Sequence, residues 1–169
     1  MITFVLGGNK SGKSDFALEL LASCEGPTLF VATGKARDLE FREQIQRHRL
    51  ERDQSIEVLE VAEDLPHALR QAKLASASTL IDSLDYWLFA CREAGIEREM
   101  VDELLAALEN WDGPDLILVS CETGLGPLPA HSEARAFIRS LGALNQSVAK
   151  AAHRAYLVTA GLPLTLKRG

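Results

Sequence analysis

The sequence predicts an α/β fold, a doubly wound and mainly parallel sheet with helices on both faces, and three observations carry that expectation. Short apolar runs rich in β-branched residues recur at 2–6, 28–33, 78–82, 115–120 and 155–160. Longer stretches with apolar residues near the helical period lie between them. Strands that alternate with helices form a right-handed parallel sheet, because each crossover must pack back onto the sheet it left. The third observation is the junction after the first run, where Leu6-Gly7-Gly8-Asn9-Lys10-Ser11-Gly12-Lys13-Ser14 leads straight into a helix-like stretch from Asp15 to Ala22.

That junction carries Gly-x-x-x-x-Gly-Lys-Ser in the strand, loop and helix setting that a phosphate-binding P-loop requires. Glycines let the backbone turn and approach a ligand closely. Successive N–H groups along Gly7, Gly8, Asn9, Lys10, Ser11 and Gly12 can then face phosphate oxygens. The start of the following helix adds partial positive charge. Lys13 is expected to reach the β- and γ-phosphates as a point charge, and the Ser14 hydroxyl to ligate Mg²⁺. The plain alternative is a glycine-rich turn that binds nothing; the complete pattern in its required setting favours a nucleoside triphosphate.

The run Thr28 to Thr33, bounded by Gly26-Pro27 and Gly34, reads as a second buried strand. Ligands of open parallel sheets bind outside the carboxyl ends of the strands. Thr33 and Gly34 are therefore candidate nucleotide contacts, although Thr-Gly is also an ordinary strand exit. Residues 37–53 are charged nearly throughout, with Leu39, Phe41, Ile45 and Leu50 as the thin apolar stripe of a mostly exposed helix. Inside it His48 stands between Arg47 and Arg49. Neighbouring cations favour the neutral imidazole that attacks phosphorus, and arginines hold phosphate oxygens. From composition alone, a solvated basic face with an inert histidine is the competing reading.

Residues 56–61 read as an edge strand or loop segment, and Asp64 to Ala75 as a helix opening on an acidic N-terminus. Ser78 to Asp82 is a buried strand ending in a carboxylate, the place for an acid that orients Mg²⁺ or its waters. Asp82 could instead, or as well, cap the helix that begins near Leu84. Two helical stretches, 84–94 and 97–111, flank Gly95 and carry Trp87 and Trp111 as packing residues. The strand Asp115 to Ser120 then runs into Cys121 to Pro129, where two glycines and two prolines exclude regular structure. Glu122 is the only carboxylate of this loop, which either shapes an acceptor pocket or rigidifies the edge. A long helix over 132–152 and a final strand over 155–160, running into Gly161-Leu162-Pro163, complete a single domain, 1–169.

Composition narrows the function classes. Hydrophobic residues make up 47% of the 169, enough for a substantial core. The net charge of −6 argues against a broad nucleic-acid or anionic-membrane surface. Cys24, Cys91 and Cys121 are scattered without a Cys-x-x-Cys pair, so neither a disulfide framework nor a zinc site is expected and the cytoplasm is the natural compartment. No apolar run approaches the roughly 18 residues of a membrane span, and the first is too short for a signal peptide.

The collected pieces resemble one family, the bifunctional adenosylcobinamide kinase/adenosylcobinamide-phosphate guanylyltransferases of cobalamin nucleotide-loop assembly. They are Gly7-Gly8-x-x-Ser11-Gly12-Lys13-Ser14, Val31-Ala32-Thr33, Ile45-x-x-His48-Arg49 and Leu141-Gly142-x-Leu144-Asn145-Gln146, then Leu157-Val158-x-Ala160-Gly161-Leu162-Pro163-Leu164 and Leu166-Lys167. The resemblance runs in order along essentially the whole chain. It implies a RecA-like P-loop domain, usually a homotrimer, that phosphorylates adenosylcobinamide and then transfers GMP from GTP to adenosylcobinamide phosphate. It further implies GTP, ATP and Mg²⁺ as ligands and His48 as the residue that carries the guanylyl group. Nucleotide contacts are implied at the P-loop, Ala32, Thr33, Gly34, Arg49, Leu50, Glu51, Arg52, Glu60 and Asp82. The chain departs from the family pattern at Cys121 and Pro127 in the acceptor loop and at Ala90, His153 and Ile56 elsewhere.

Overall fold

The computed structural model describes residues 1–33 and 56–169. β1 (Ile2–Gly7) is followed by α1 (Lys13–Ala22), β2 (Thr28–Thr33), β3 (Glu57–Val61), α2 (Leu65–Leu74) and β4 (Ser78–Asp82). Next come α3 (Leu84–Glu93), α4 (Glu97–Glu109), β5 (Leu116–Cys121), α5 (Ser132–Ala151), β6 (Arg154–Thr159) and β7 (Leu162–Lys167). The strands form one sheet in the order β3-β2-β4-β5-β1-β6-β7. All neighbours are parallel except β6 and β7.

Alternate residues of a strand face opposite sides of the sheet, and the core divides accordingly. Phe4, Val31, Ile81 and Leu118 point to the side covered by α2, α3, α4 and α5. Val5, Phe30, Leu80, Ile117 and Val119 point to the side covered by α1 through Ala17, Leu18 and Leu21. Helices on both faces were expected from the sequence. Trp87 is wholly buried and its indole N–H donates to the Glu63 carbonyl at 2.7 Å, so this aromatic side chain packs without an orphaned donor. Among the described residues, no helix is long and apolar enough to cross a membrane.

Three expectations need correction or completion. Within the stretch 56–61, Glu57–Val61 form a true edge strand, β3 paired with β2. The final strand was expected to be β6, but the chain reverses at Ala160-Gly161 and adds the antiparallel β7. Both turn residues have positive φ, 51° and 78°, as a two-residue hairpin turn of type I′ demands. Pro163 disguised the strand, yet proline is tolerated on a sheet edge. The capping role considered for Asp82 does not hold: the N-cap of α3 is Ser83, which makes no side-chain cap bond, and Asp82 stays in β4. By contrast Asp64 does cap α2, accepting the His67 N–H at 3.1 Å. The helix read over 37–53 lies outside the described residues.

Candidate functional site

The carboxyl ends of β2, β4, β5 and β1 lie side by side along one edge of the sheet, and the loop after β1 sits at one end of that row. Close packing explains the glycines of that loop. A Cβ on Gly7 would overlap the Ser11 side chain and approach the Val158 carbonyl to 2.8 Å. Gly12 has φ 90° and is the N-cap of α1, with no side chain capping the helix. The N-cap therefore offers no side-chain oxygen to the first N–H groups of α1, at the end where anions are favoured. Lys13 folds back so that its Nζ donates to the Gly8 carbonyl at 3.4 Å, and the Ser11 N–H donates to the same oxygen at 3.3 Å. Asn9 and Lys10 are exposed at the tip, and Ser14 is half-buried in the first turn of α1.

Across β5 from this loop stands Asp82, at the end of β4 and buried, with one carboxylate oxygen that has no hydrogen-bond partner among the described residues. Burial pushes its pKa up to about 6; the Ser14 hydroxyl and the Lys13 ammonium oppose the rise, while Asp85 and Asp15 add to it. An orphaned buried carboxylate oxygen beside a hydroxyl is a hard oxygen donor set, which fits Mg²⁺, an ion that keeps several waters and takes few protein ligands. Among the described residues, no group of three or more His, Cys, Asp or Glu forms a larger metal cluster.

The remaining expected contacts spread along the edge. Ala32 is in register with Asp82 on one side and with Glu60 on the other, so the three stand level across β4, β2 and β3. Glu60 is exposed. Thr33 is buried and its hydroxyl donates to the Ser83 carbonyl, which ties β2 to the start of α3. Gly34, His48, Arg49, Leu50, Glu51 and Arg52 lie outside the described residues.

Sequence reasoning missed Asp85, in the first turn of α3. Its Oδ1 accepts the Cys121 N–H at 3.1 Å, and its charge acts on both Asp82 and Cys121. An acid three residues beyond a strand-end acid, at a helix start on the same edge, was the available signal. Asn145 of α5 holds the same strand end: its amide donates to the Cys121 carbonyl at 3.1 Å and its Oδ1 accepts the Ser120 hydroxyl at 2.7 Å. Glu122 then donates its N–H to the Gly7 carbonyl at 3.0 Å, and its carboxylate accepts the Gly124 N–H at 2.6 Å. Arg135 donates to the Pro129 carbonyl at 3.0 Å. The 122–131 loop is thus stitched at both ends, and Leu125 and Leu128 project from it into solvent.

Residues 3–166 match the family described as cobinamide kinase / cobinamide phosphate guanyltransferase. The bifunctional adenosylcobalamin biosynthesis protein CobP of Pseudomonas aeruginosa is 35% identical, covering 99% of this chain and 98% of its own length. The bifunctional adenosylcobalamin biosynthesis protein CobU of Escherichia coli K12 is 29% identical, covering 99% and 100%. Among solved structures, the type III secretion ATPase EscN of enteropathogenic E. coli superposes with a TM-score of 0.65 at 13% identity, over 94% of this chain. The P4 protein of bacteriophage phi6, in complex with ADP, superposes with a TM-score of 0.53 at 15% identity, over 99% of this chain. This chain spans 43% and 55% of those two larger chains, and at such identities the likeness establishes the fold, a P-loop NTPase α/β sheet. On the full-length match, the chain belongs to the cobinamide kinase / cobinamide phosphate guanyltransferase family and is a transferase.

Proposed function

We propose that the protein phosphorylates the aminopropanol hydroxyl of adenosylcobinamide and then transfers GMP from GTP to that phosphate, with His48 carrying the guanylyl group between the two half-reactions. The full-length family match carries this reading. The uncapped α1 start, Lys13 and the orphaned oxygen of Asp82 support it as a place for a triphosphate and its metal. In the first reaction the loop amides and Lys13 hold the β- and γ-phosphates of ATP or GTP while the acceptor hydroxyl attacks the γ-phosphorus; an O–P bond forms, the bond to the bridging oxygen breaks, and the nucleoside diphosphate and the hydroxyl proton leave. Ser14 and Asp82 would hold Mg²⁺, which when bound neutralises charge on the phosphate oxygens. In the second, the neutral His48 imidazole attacks the α-phosphorus of GTP. A P–N bond forms, the bond to pyrophosphate breaks and the imidazole proton is released. An oxygen of adenosylcobinamide phosphate then displaces the histidine, giving adenosylcobinamide-GDP and restoring the imidazole.

The exposed Leu125 and Leu128 offer an apolar surface for the large acceptor beside the loop. A homotrimer and a cytoplasmic location complete the proposal; Cys24, Cys91 and Cys121 are all free thiols, in keeping with a reducing compartment. Incubation with α-³²P-GTP and Mg²⁺, followed by denaturation, tests the histidine step. The label is expected to be acid-labile, base-stable and absent from His48→Ala. A protein that binds GTP yet takes up no label would refute the covalent route.

A further inference from the structure

The turn between β6 and β7 reaches the phosphate loop. The Gly161 N–H donates to the Ser11 carbonyl at 2.8 Å, and a Cβ on Gly12 would meet the Gly161 Cα at 3.1 Å. On the opposite flank the Glu122 N–H holds the Gly7 carbonyl. In a trans peptide the C=O and N–H of one unit point in opposite directions. Fixing the Ser11 carbonyl against the turn therefore aims the N–H of the same unit, that of Gly12, away from the hairpin. That N–H adjoins the uncapped start of α1, where the helix dipole favours an anion.

We propose that Gly161 is a positioning residue for phosphate binding: its N–H clamps the Ser11–Gly12 peptide so that the Gly12 amide is preset toward the nucleotide. The inference rests on the reading that this loop holds a nucleoside triphosphate. Gly161 suits the task because it sits at φ 78° with open space around it; a Cβ there would meet nothing within 4 Å. A side chain at this position acts through the backbone angle alone. A β-branched residue resists positive φ, whereas asparagine adopts it readily. The clamp also gives the terminal hairpin a role in the reaction, since β7 supplies none of the residues expected to touch a ligand.

The test compares Gly161→Val, Gly161→Asn and Gly95→Val for affinity toward the fluorescent triphosphate mant-GTP with Mg²⁺, and for melting temperature. Gly95 has a similar φ of 75° and equally open space, but lies beyond the far end of α3. Gly161→Val is expected to weaken binding about tenfold or more, the loss of one amide hydrogen bond to an anion. Gly161→Asn should bind within about twofold of the parent, a difference of less than half a kcal/mol. Gly95→Val should lower the melting temperature while leaving affinity unchanged. If Gly161→Val does not fold, Gly161→Ala gives the same comparison at smaller amplitude. Parent-like affinity in a folded Gly161→Val or Gly161→Ala, or equal weakening in Gly95→Val, overturns the clamp. Failure of the parent protein to bind mant-GTP removes the nucleotide reading, and the clamp with it.

Discussion

At the scale of single residues, the buried charge of Asp82 works against stability, and the proposed metal-holding role would be the reason to keep it. Its folded pKa of about 6 lies above the ordinary 3.8, so between those values the folded protein keeps a proton that the unfolded chain has lost. Stability therefore falls as pH rises through that window, and the full penalty, at most about 3 kcal/mol, applies above pH 6. Asp82→Asn removes the buried charge. It should melt several degrees higher than the parent at pH 7.5 without Mg²⁺, show little advantage near pH 4, and lose Mg²⁺-dependent turnover. An unchanged or lower melting temperature at pH 7.5 would contradict the burial argument. The place of Asp82 was legible because a carboxylate ending an apolar strand is a local pattern. The hydrogen bond between Asp85 and Cys121 was not, because it joins residues 36 apart in the chain.

At the scale of elements, one buried amide fastens α5 to the active edge. Asn145 satisfies both the Ser120 hydroxyl, which is wholly buried, and the Cys121 carbonyl. Truncation leaves that hydroxyl without a partner in an apolar setting, at a cost of about 2–3 kcal/mol. Asn145→Ala should lower the urea midpoint accordingly, and a loss below about 0.5 kcal/mol would mean that water replaces the amide. The strands of the parallel core were legible from their β-branched apolar runs, and α2 from the Asp64 cap. β7 was not: all six of its residues are exposed, so no burial pattern betrays it, and its turn begins with Ala160, an unusual residue at positive φ.

At the scale of the whole molecule, the sheet order separates two ends of the proposed site. Four strand spacings, roughly 19 Å, divide β1 from β3. Lys13 at one end and Glu60 at the other should therefore have separable effects. Lys13→Ala is expected to abolish both phosphorylation and GMP transfer, since each needs the triphosphate anchored. Glu60→Ala should raise KM for GTP in the transfer step while sparing phosphorylation by ATP. Equal loss of both activities in Glu60→Ala would argue against that division. The order itself was beyond the sequence, which announces crossovers but not which strand lands beside which. One consequence follows from Pro163. Thr159 pairs with Leu162 and Val158 with Pro163; in a two-residue hairpin the turn-closing pair is the hydrogen-bonded one, so the next pair, Val158 and Pro163, turns its backbone groups outward. The missing proline N–H therefore leaves a gap in the outer rim of the sheet, beside the exposed Leu162, Leu164 and Leu166. A foreign strand could not zip onto this border in continuous register, so the leucine ridge can be sticky toward side chains while remaining a poor seed for fibrils.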